Sequence, residues 1–306
     1  VQIEERLKTR KGGLSSRTLE TVSAVGANIN AYKRRVFWTI RRYRMVEMGD
    51  VIYVAVSGGK DSCAALALLK EYVDAHRVDA EVRALHINLG FAPSRAAEEA
   101  ARAAAETLGV DIRVVSAGEY LDIIAAARRA GRPVCSVCGT LKRYIINRVP
   151  RELGATKVAT GHHAHDFLVY YFKNLAGCHH EWNFKILPVV KGSGSALTRI
   201  RPLILARPEE NAEYCKQARL PFTEACCEHK PERPPGSWVL EMLAAARRAE
   251  PDVDIRLVSA IMKFNEKYGR AGAPEGIGRC KVCGEPSGGD VCAVCRLRKL
   301  LSRQHG

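Results

Sequence analysis

From Val51 to Leu205 the chain alternates short apolar runs with longer stretches whose apolar and small residues recur at helical spacing. Val51–Val56 is a short, β-branched run of the kind that forms a buried strand. The pattern predicts further strands over 81–87, 111–115, 157–160 and, at the end of the series, 197–205. Between them it predicts helices over 62–74, 94–108, 119–129, 139–149 and 165–175, with Pro150 ending or kinking the fourth. This alternation implies an α/β architecture, a parallel sheet covered by helices on both faces. In such a sheet ligands bind beyond the carboxyl ends of the strands, the rim on which the turns after Val56 and Thr160 fall. Residues 1–48 read as a basic segment, helical from about Arg17 onward, followed by the α/β unit over 49–230. The Pro-rich HKPERPPG marks a break, with helices expected over 237–248 and 253–268 in a segment spanning 231–272. A cysteine module with a basic tail occupies 273–306.

Charge changes this picture. The 306 residues carry 48 Lys and Arg against 33 Asp and Glu, a formal net charge of +15. The excess is clustered: residues 128–151 hold seven basic side chains and no acidic one, and residues 1–50 hold eleven against five. Such patches suit a polyanion, nucleic acid above all; a solvated basic surface is the plain alternative. No apolar run approaches the ~20 residues that span a bilayer, and the opening VQIEERLKTRKGG is not a signal peptide, so a cytoplasmic location without membrane association is expected. Eleven cysteines in such a chain point to metals or redox chemistry, not to disulfides.

The candidate chemistry begins in the turn SGGKDS, residues 57–62. It is not a Walker A loop, because the position five residues before Gly59 is Val54. The physics is shared nonetheless. Gly58 and Gly59 let the backbone approach an anion, the following helix adds a favourable dipole, and Ser57, Ser62 and Lys60 offer donors. Asp61 fits beside phosphate if it holds Mg2+. SGGKDS after a strand resembles the pyrophosphate loop of the PP-loop (adenine nucleotide α-hydrolase-like) ATPases. With LHINLG (85–90), VCSVCGTLKRYIINRV (134–149), ATGHHAHD (159–166), the Cys226 region and the final paired cysteines, the chain from about Val51 to Leu300 resembles the tRNA 2-thiouridine synthetases of the TtuA type and their wobble-position relatives.

Cys135-x2-Cys138, beside a predicted helix start with Lys142 and Arg143 following, is expected to carry thiols of depressed pKa. From the residues alone it is half of a zinc site, a redox dithiol or part of an iron–sulfur cluster. The resemblance implies a 4Fe-4S cluster on three cysteines: Cys135, Cys138 and Cys226. The family's usual proline after that third cysteine is here Cys227, which offers an alternative or a fourth ligand. Three protein thiolates leave one iron open to exogenous sulfur; a fourth would block it.

The resemblance also implies that Lys142 and Asp166 are catalytic, and that His86 and Gly161 lie at the nucleotide. Where the family carries two aspartates in GHxxDD, this chain has His165 and Asp166, which puts the metal geometry in question. His162 and His163 are as readily polar residues at a strand end as site residues. Separately, Cys280-x2-Cys283-x8-Cys292-x2-Cys295 has the spacing of a structural four-cysteine zinc (Zn2+) ribbon, with Arg296, Arg298, Lys299 and Arg303 as a tail that could grip tRNA.

The expected function is ATP-dependent 2-thiolation of a uridine in tRNA. The resemblance implies as sulfur donor a carrier protein with a C-terminal thiocarboxylate or inorganic sulfide, and leaves a homodimer open. The alternatives are another PP-loop ATP pyrophosphatase without a cluster and a non-catalytic tRNA-binding protein.

Overall fold

In the computed structural model, which describes residues 29–269 and 278–302, the run Val51–Ala55 forms β1 at the middle of a six-stranded sheet. The order is β3-β2-β1-β4-β6-β5, with β2 at Glu81–Asn88, β3 at Ile112–Ser116, β4 at Lys157–Thr160, β5 at Val189–Val190 and β6 at Thr198–Ile200. All neighbours are parallel except β5, which runs antiparallel to β6 at the edge. The chain steps outward from β1 through β2 to β3, then returns to the other side of β1 as β4. The switch point between β1 and β4 is the position at which such sheets open a ligand crevice.

Helix α1 spans Ile29–Arg42, α2 Lys60–His76, α3 Ser94–Thr107, α4 Ile123–Ala130 and α5 Val134–Glu152. Then come α6 at Ala164–Ala176, the short α7 at His180–Asn183, α8 at Pro208–Gln217, α9 at Ser237–Ala249, α10 at Val253–Tyr268 and α11 at Ala293–Ser302. Helix α2 is buried almost all round. Cys63 to Leu69 are consecutive core residues, lying among the sheet, α1 and α8. Each fully buried leucine there (Leu66, Leu68, Leu69) contributes about 2 kcal/mol through loss of water contact. Helix α1 packs Tyr32, Val36 and Ile40 into that same core.

Several expected boundaries shift. Helix α5 starts at Val134, directly after Pro133, so Cys135 and Cys138 lie on its first turns and not ahead of it. Pro150 does not end α5, which continues to Glu152; so near the C-terminus the ring removes one backbone donor and leaves the last turn intact. The stretch 119–129 divides into a 3-10 turn, Ala117–Glu119, and α4, whose start is capped by Asp122 accepting from the Ala125 N–H at 2.9 Å. The fifth predicted strand shrinks to 198–200, and β5 and α8 were not foreseen. The helical part expected before residue 29, and Arg303, lie outside the described residues.

Helices α9 and α10 pack on α6 through Val239, Leu243, Val258 and Met262 against Phe167 and Leu168. The cysteine module packs its Val294 and Leu297 on α4 and α5, against Leu141 and Ile145 among others. Among the described residues no helix is long and apolar enough to cross a membrane.

Candidate active site

The turn from β1 into α2 is shaped by two close approaches that only glycine permits. Gly58 has φ +82°, and a Cβ there would lie 2.2 Å from the Ala97 carbonyl oxygen of α3. Gly161, after β4, would place a Cβ 2.7 Å from the Asp61 carbonyl oxygen, so the two strand-end turns abut across the switch point. Gly59 is different: a Cβ there would meet only Ser57 Oγ at 3.6 Å and the Thr223 carbonyl at 4.0 Å. Within the turn the Ser57 N–H donates to Ser62 Oγ (3.0 Å), and that hydroxyl donates to the Gly59 carbonyl (2.8 Å). Lys60 Nζ lies 3.0 Å from Asp61 Oδ2, and Asn211 Nδ2 donates to Asp61 Oδ1 at 2.8 Å.

Above this turn opens a cavity of about 510 Å³ lined by Ser57, Asp61, Ser62, His86, Lys142, Gly161 and Asp166. Sequence-predicted nucleotide and catalytic residues from four separate segments thus share one wall system. His86 Nδ1 lies 2.9 Å from the Val56 carbonyl, which can only accept, so that nitrogen carries the proton. Nε2 is left buried and without a partner, an acceptor for an N–H of a ligand. Burial lowers the His86 pKa and keeps the ring neutral. The N-cap residue of α6, His163, donates its backbone N–H to Asp166 Oδ2 at 3.0 Å. Its ring Nε2 stands 3.6 Å from Asp166 and 4.0 Å from Asp61, between the two carboxylates, and burial lowers its pKa too.

The loop after α8 reaches the same cavity. The Thr223 N–H donates to the Gly58 carbonyl at 2.8 Å, clamping this loop to the SGGKDS turn. Beyond the clamp, Ala225 and Cys227 line the cavity, whereas Cys226 is exposed, its Sγ 3.6 Å from the Glu224 carbonyl. Cys227 lies near enough for its charge to act on Cys138, as do Cys135 and Lys142. Burial is the stronger influence on Cys138 and raises its pKa, opposite to the depressed value expected; Lys142 offsets only part of it. Cys135 is exposed and donates toward the His229 carbonyl at 3.0 Å. Among the described residues, only Cys280, Cys283, Cys292 and Cys295 bring three or more ligand atoms within 4.8 Å of one another. Cysteines 135, 138, 226 and 227 do not form such a group.

The PP-loop domain family matches residues 39–230. The chain belongs to the PP-loop family. A tRNA-5-methyluridine(54) 2-sulfurtransferase from Thermus thermophilus is 32% identical over 87% of this chain and 81% of its own length. One of the same name from Pyrococcus horikoshii is 29% identical over 87% and 84%. Among solved structures, the U34-tRNA thiolase NcsA from Methanococcus maripaludis with its 4Fe-4S cluster superposes with TM-score 0.74 at 25% identity, covering 89% of this chain and 88% of that one.

In this PP-loop chain the departure at position 165 has a structural explanation. His165 points away from the cavity: its Nε2 lies 2.9 Å from Asp254 Oδ2 on α10, and Arg207 binds both oxygens of the same carboxylate at 2.9 Å. Burial alone would raise the Asp254 pKa, but the hydrogen bonds from His165 and Arg207 outweigh it and hold the carboxyl well below its usual range. A histidine at 165 therefore locks α6 to α10 and leaves Asp166 to the cavity.

The C-terminal cysteines can hold one metal ion. Gly284, at φ +74°, closes the first knuckle with its N–H on the Cys280 carbonyl at 2.8 Å. Although burial opposes it, backbone N–H groups of Cys292, Cys283 and Val282 pull the Cys280 thiol down to about 6, ready to ligate as thiolate. Of the basic tail, Arg298 turns inward, its Nε donating to the Tyr120 carbonyl at 2.7 Å. Sequence reasoning missed Asn211, which orients Asp61, and Arg143 as a cavity residue. Asn211 carried no signal, lying in a helix that was not predicted. Arg143 stood in the basic run beside Lys142.

Proposed function

We propose that this protein is a tRNA 2-sulfurtransferase: it uses ATP to activate a uridine oxygen in tRNA and replaces it with sulfur. The observation that carries the reading is the single cavity in which the SGGKDS turn, Lys142, Asp166 and Cys227 meet. A nucleotide-activating turn beside a group of thiols is what adenylation followed by sulfur transfer requires, because the activated oxygen must be displaced before water reaches it. The uridine O2 attacks the α-phosphorus, forming a P–O bond and releasing pyrophosphate. Sulfur then attacks C2, the C2–O2 bond breaks, and AMP departs with that oxygen. No net redox change is involved.

The chain's residues divide the work. Backbone N–H groups of Gly58 and Gly59, with the start of α2, hold the leaving pyrophosphate. Lys142 stabilises negative charge growing on the α-phosphate, and Asp61 and Asp166, flanking His163, hold Mg2+. His86 Nε2 accepts from the exocyclic amine of adenine. Cys135, Cys138 and Cys227 would hold the cluster; Cys226, the ligand expected from the resemblance, is exposed and is not among the residues lining the cavity. Bound to three protein thiolates, a 4Fe-4S cluster supplies one iron open to sulfur. The four C-terminal cysteines would hold zinc, which would tie together the module that packs on α5. A thiocarboxylated carrier protein or inorganic sulfide donates the sulfur. Position 54 is the favoured target, since relatives of that name match over 81–88% of their length.

The test is the ATP product. With anaerobically reconstituted protein, bulk tRNA and sulfide, AMP and pyrophosphate are expected to form in step with 2-thiouridine, and Lys142→Ala to lower the rate by at least about a hundredfold. ADP as product would defeat the reading.

A further inference from the structure

A second cleft, of about 860 Å³, opens beside the first between α5, the segment from α7 to β6 and the C-terminal cysteine module. Arg143 lines both, so the two spaces meet at its side chain. Arg199 of β6 and Arg201, two positions on, project to the same side of the sheet and also line the cleft. Among the described residues none of these three arginines forms an ion pair with a carboxylate. Arg199 Nε is buried and has no hydrogen-bond partner. Burial, then the charge of Arg143, pushes the Arg199 guanidinium below its ordinary value, and burial, then Arg199, brings Arg201 down to about 10. Arg201 is held by the carbonyls of Lys185 and Leu187 (2.7 and 2.8 Å) and lies 4.9 Å from the Phe167 ring centroid. The cleft also contains three acids: Glu285 is committed to Arg151 and Asn147, and Glu181 and Glu266 lie outside ion-pair distance of these arginines.

Three neighbouring cations in a half-buried space with no carboxylate at ion-pair distance cost stability, so the arrangement is set for an anion from outside. The cleft also carries Tyr43, Tyr144 and Phe184, aromatic faces on which a base can stack. A base that is to be modified at a deep cavity must leave its stack, and it brings its phosphates with it. We propose that this second cleft receives the target nucleotide extruded from the tRNA, with Arg199, assisted by Arg143 and Arg201, holding its phosphodiester while the base passes Arg143 into the activating cavity. This deepens the thiolation reading and rests on it.

Arg199 is the residue to test, since it lines only the second cleft. Full-length wild type, Arg199→Leu and Arg199→Lys are titrated with tRNA over a salt series, with ATP affinity, iron per chain and thermal stability measured alongside. The leucine variant is expected to bind tRNA on the order of tenfold more weakly, with a salt slope reduced by about one. ATP affinity and iron content stay as in wild type, stability is unchanged or higher, and lysine restores the slope. Should leucine abolish folding, Arg199→Gln is read by the same slope. Equal tRNA affinity and slope in a folded variant would overturn the inference. Turnover lost only with a thiocarboxylated carrier, and kept with sulfide, would also overturn it and assign the arginines to the carrier's tail. Failure of wild type itself to bind tRNA would defeat the thiolation reading first, and this one with it.

Discussion

Of the adjacent pair Cys226 and Cys227, Cys227 lines the cavity and Cys226 is exposed, on a loop tied to the SGGKDS turn by the Thr223–Gly58 hydrogen bond. Cys227→Ala is therefore expected to lose cluster iron and the absorbance near 400 nm on anaerobic reconstitution, whereas Cys226→Ala keeps both; iron analysis with visible spectra checks this without any assay of turnover. The motif was legible in the sequence, but the clamp that brings its loop to the SGGKDS turn was not, because it joins residues far apart along the chain. Gly161 was legible as part of a motif for a different reason than the one that matters: its missing side chain lets two turns abut. Gly161→Ala is expected to cost more than about 2 kcal/mol in urea unfolding, as the Asp61 backbone must shift.

At the scale of elements, strands β1 to β4 followed from alternation alone because each is a short apolar run between polar turns. Helix α8 and strand β5 did not: PEENAEYCKQ is polar and shows no wide apolar stripe, and a two-residue strand leaves no period to read. The α6–α10 contact was hidden as well, since a histidine in place of an aspartate reads as damage until Asp254, 89 residues on, is found opposite it. Asp254→Ala leaves His165 and Arg207 without their buried counter-charge, and an equilibrium denaturation is expected to show a loss of about 3–5 kcal/mol. His86 gives a pH signature. Its folded pKa is lowered, so the unfolded chain takes up the proton first, and its contribution is complete above the ordinary histidine value of 6.5 and declines as pH falls below it. Thermal midpoints followed from about pH 7.5 down to about 5 are expected to fall, and less so in His86→Gln.

Over the whole molecule, the helix that carries the Cys135–Cys138 pair joins the PP-loop sheet to the cysteine module. The module's Val294 and Leu297 lie in the same apolar cluster as Leu141 and Ile145 of α5, the helix that carries Cys135, Cys138 and Lys142. Removing the C-terminal metal with a chelator is therefore expected to raise amide exchange over 278–302 first, then along α5. The net charge of +15 pointed to a polyanion, but composition could not show that three of the arginines converge on one cleft with no ion-pair partner among the described residues.

The central claim is that the base oxygen is activated by AMP and leaves with it. The most direct measurement uses tRNA carrying oxygen-18 at uracil C2, anaerobically reconstituted protein, ATP and sulfide, with mass analysis of the AMP. The account requires one oxygen-18 in the AMP for each thiolated base; unlabelled AMP beside thiolated tRNA would contradict it.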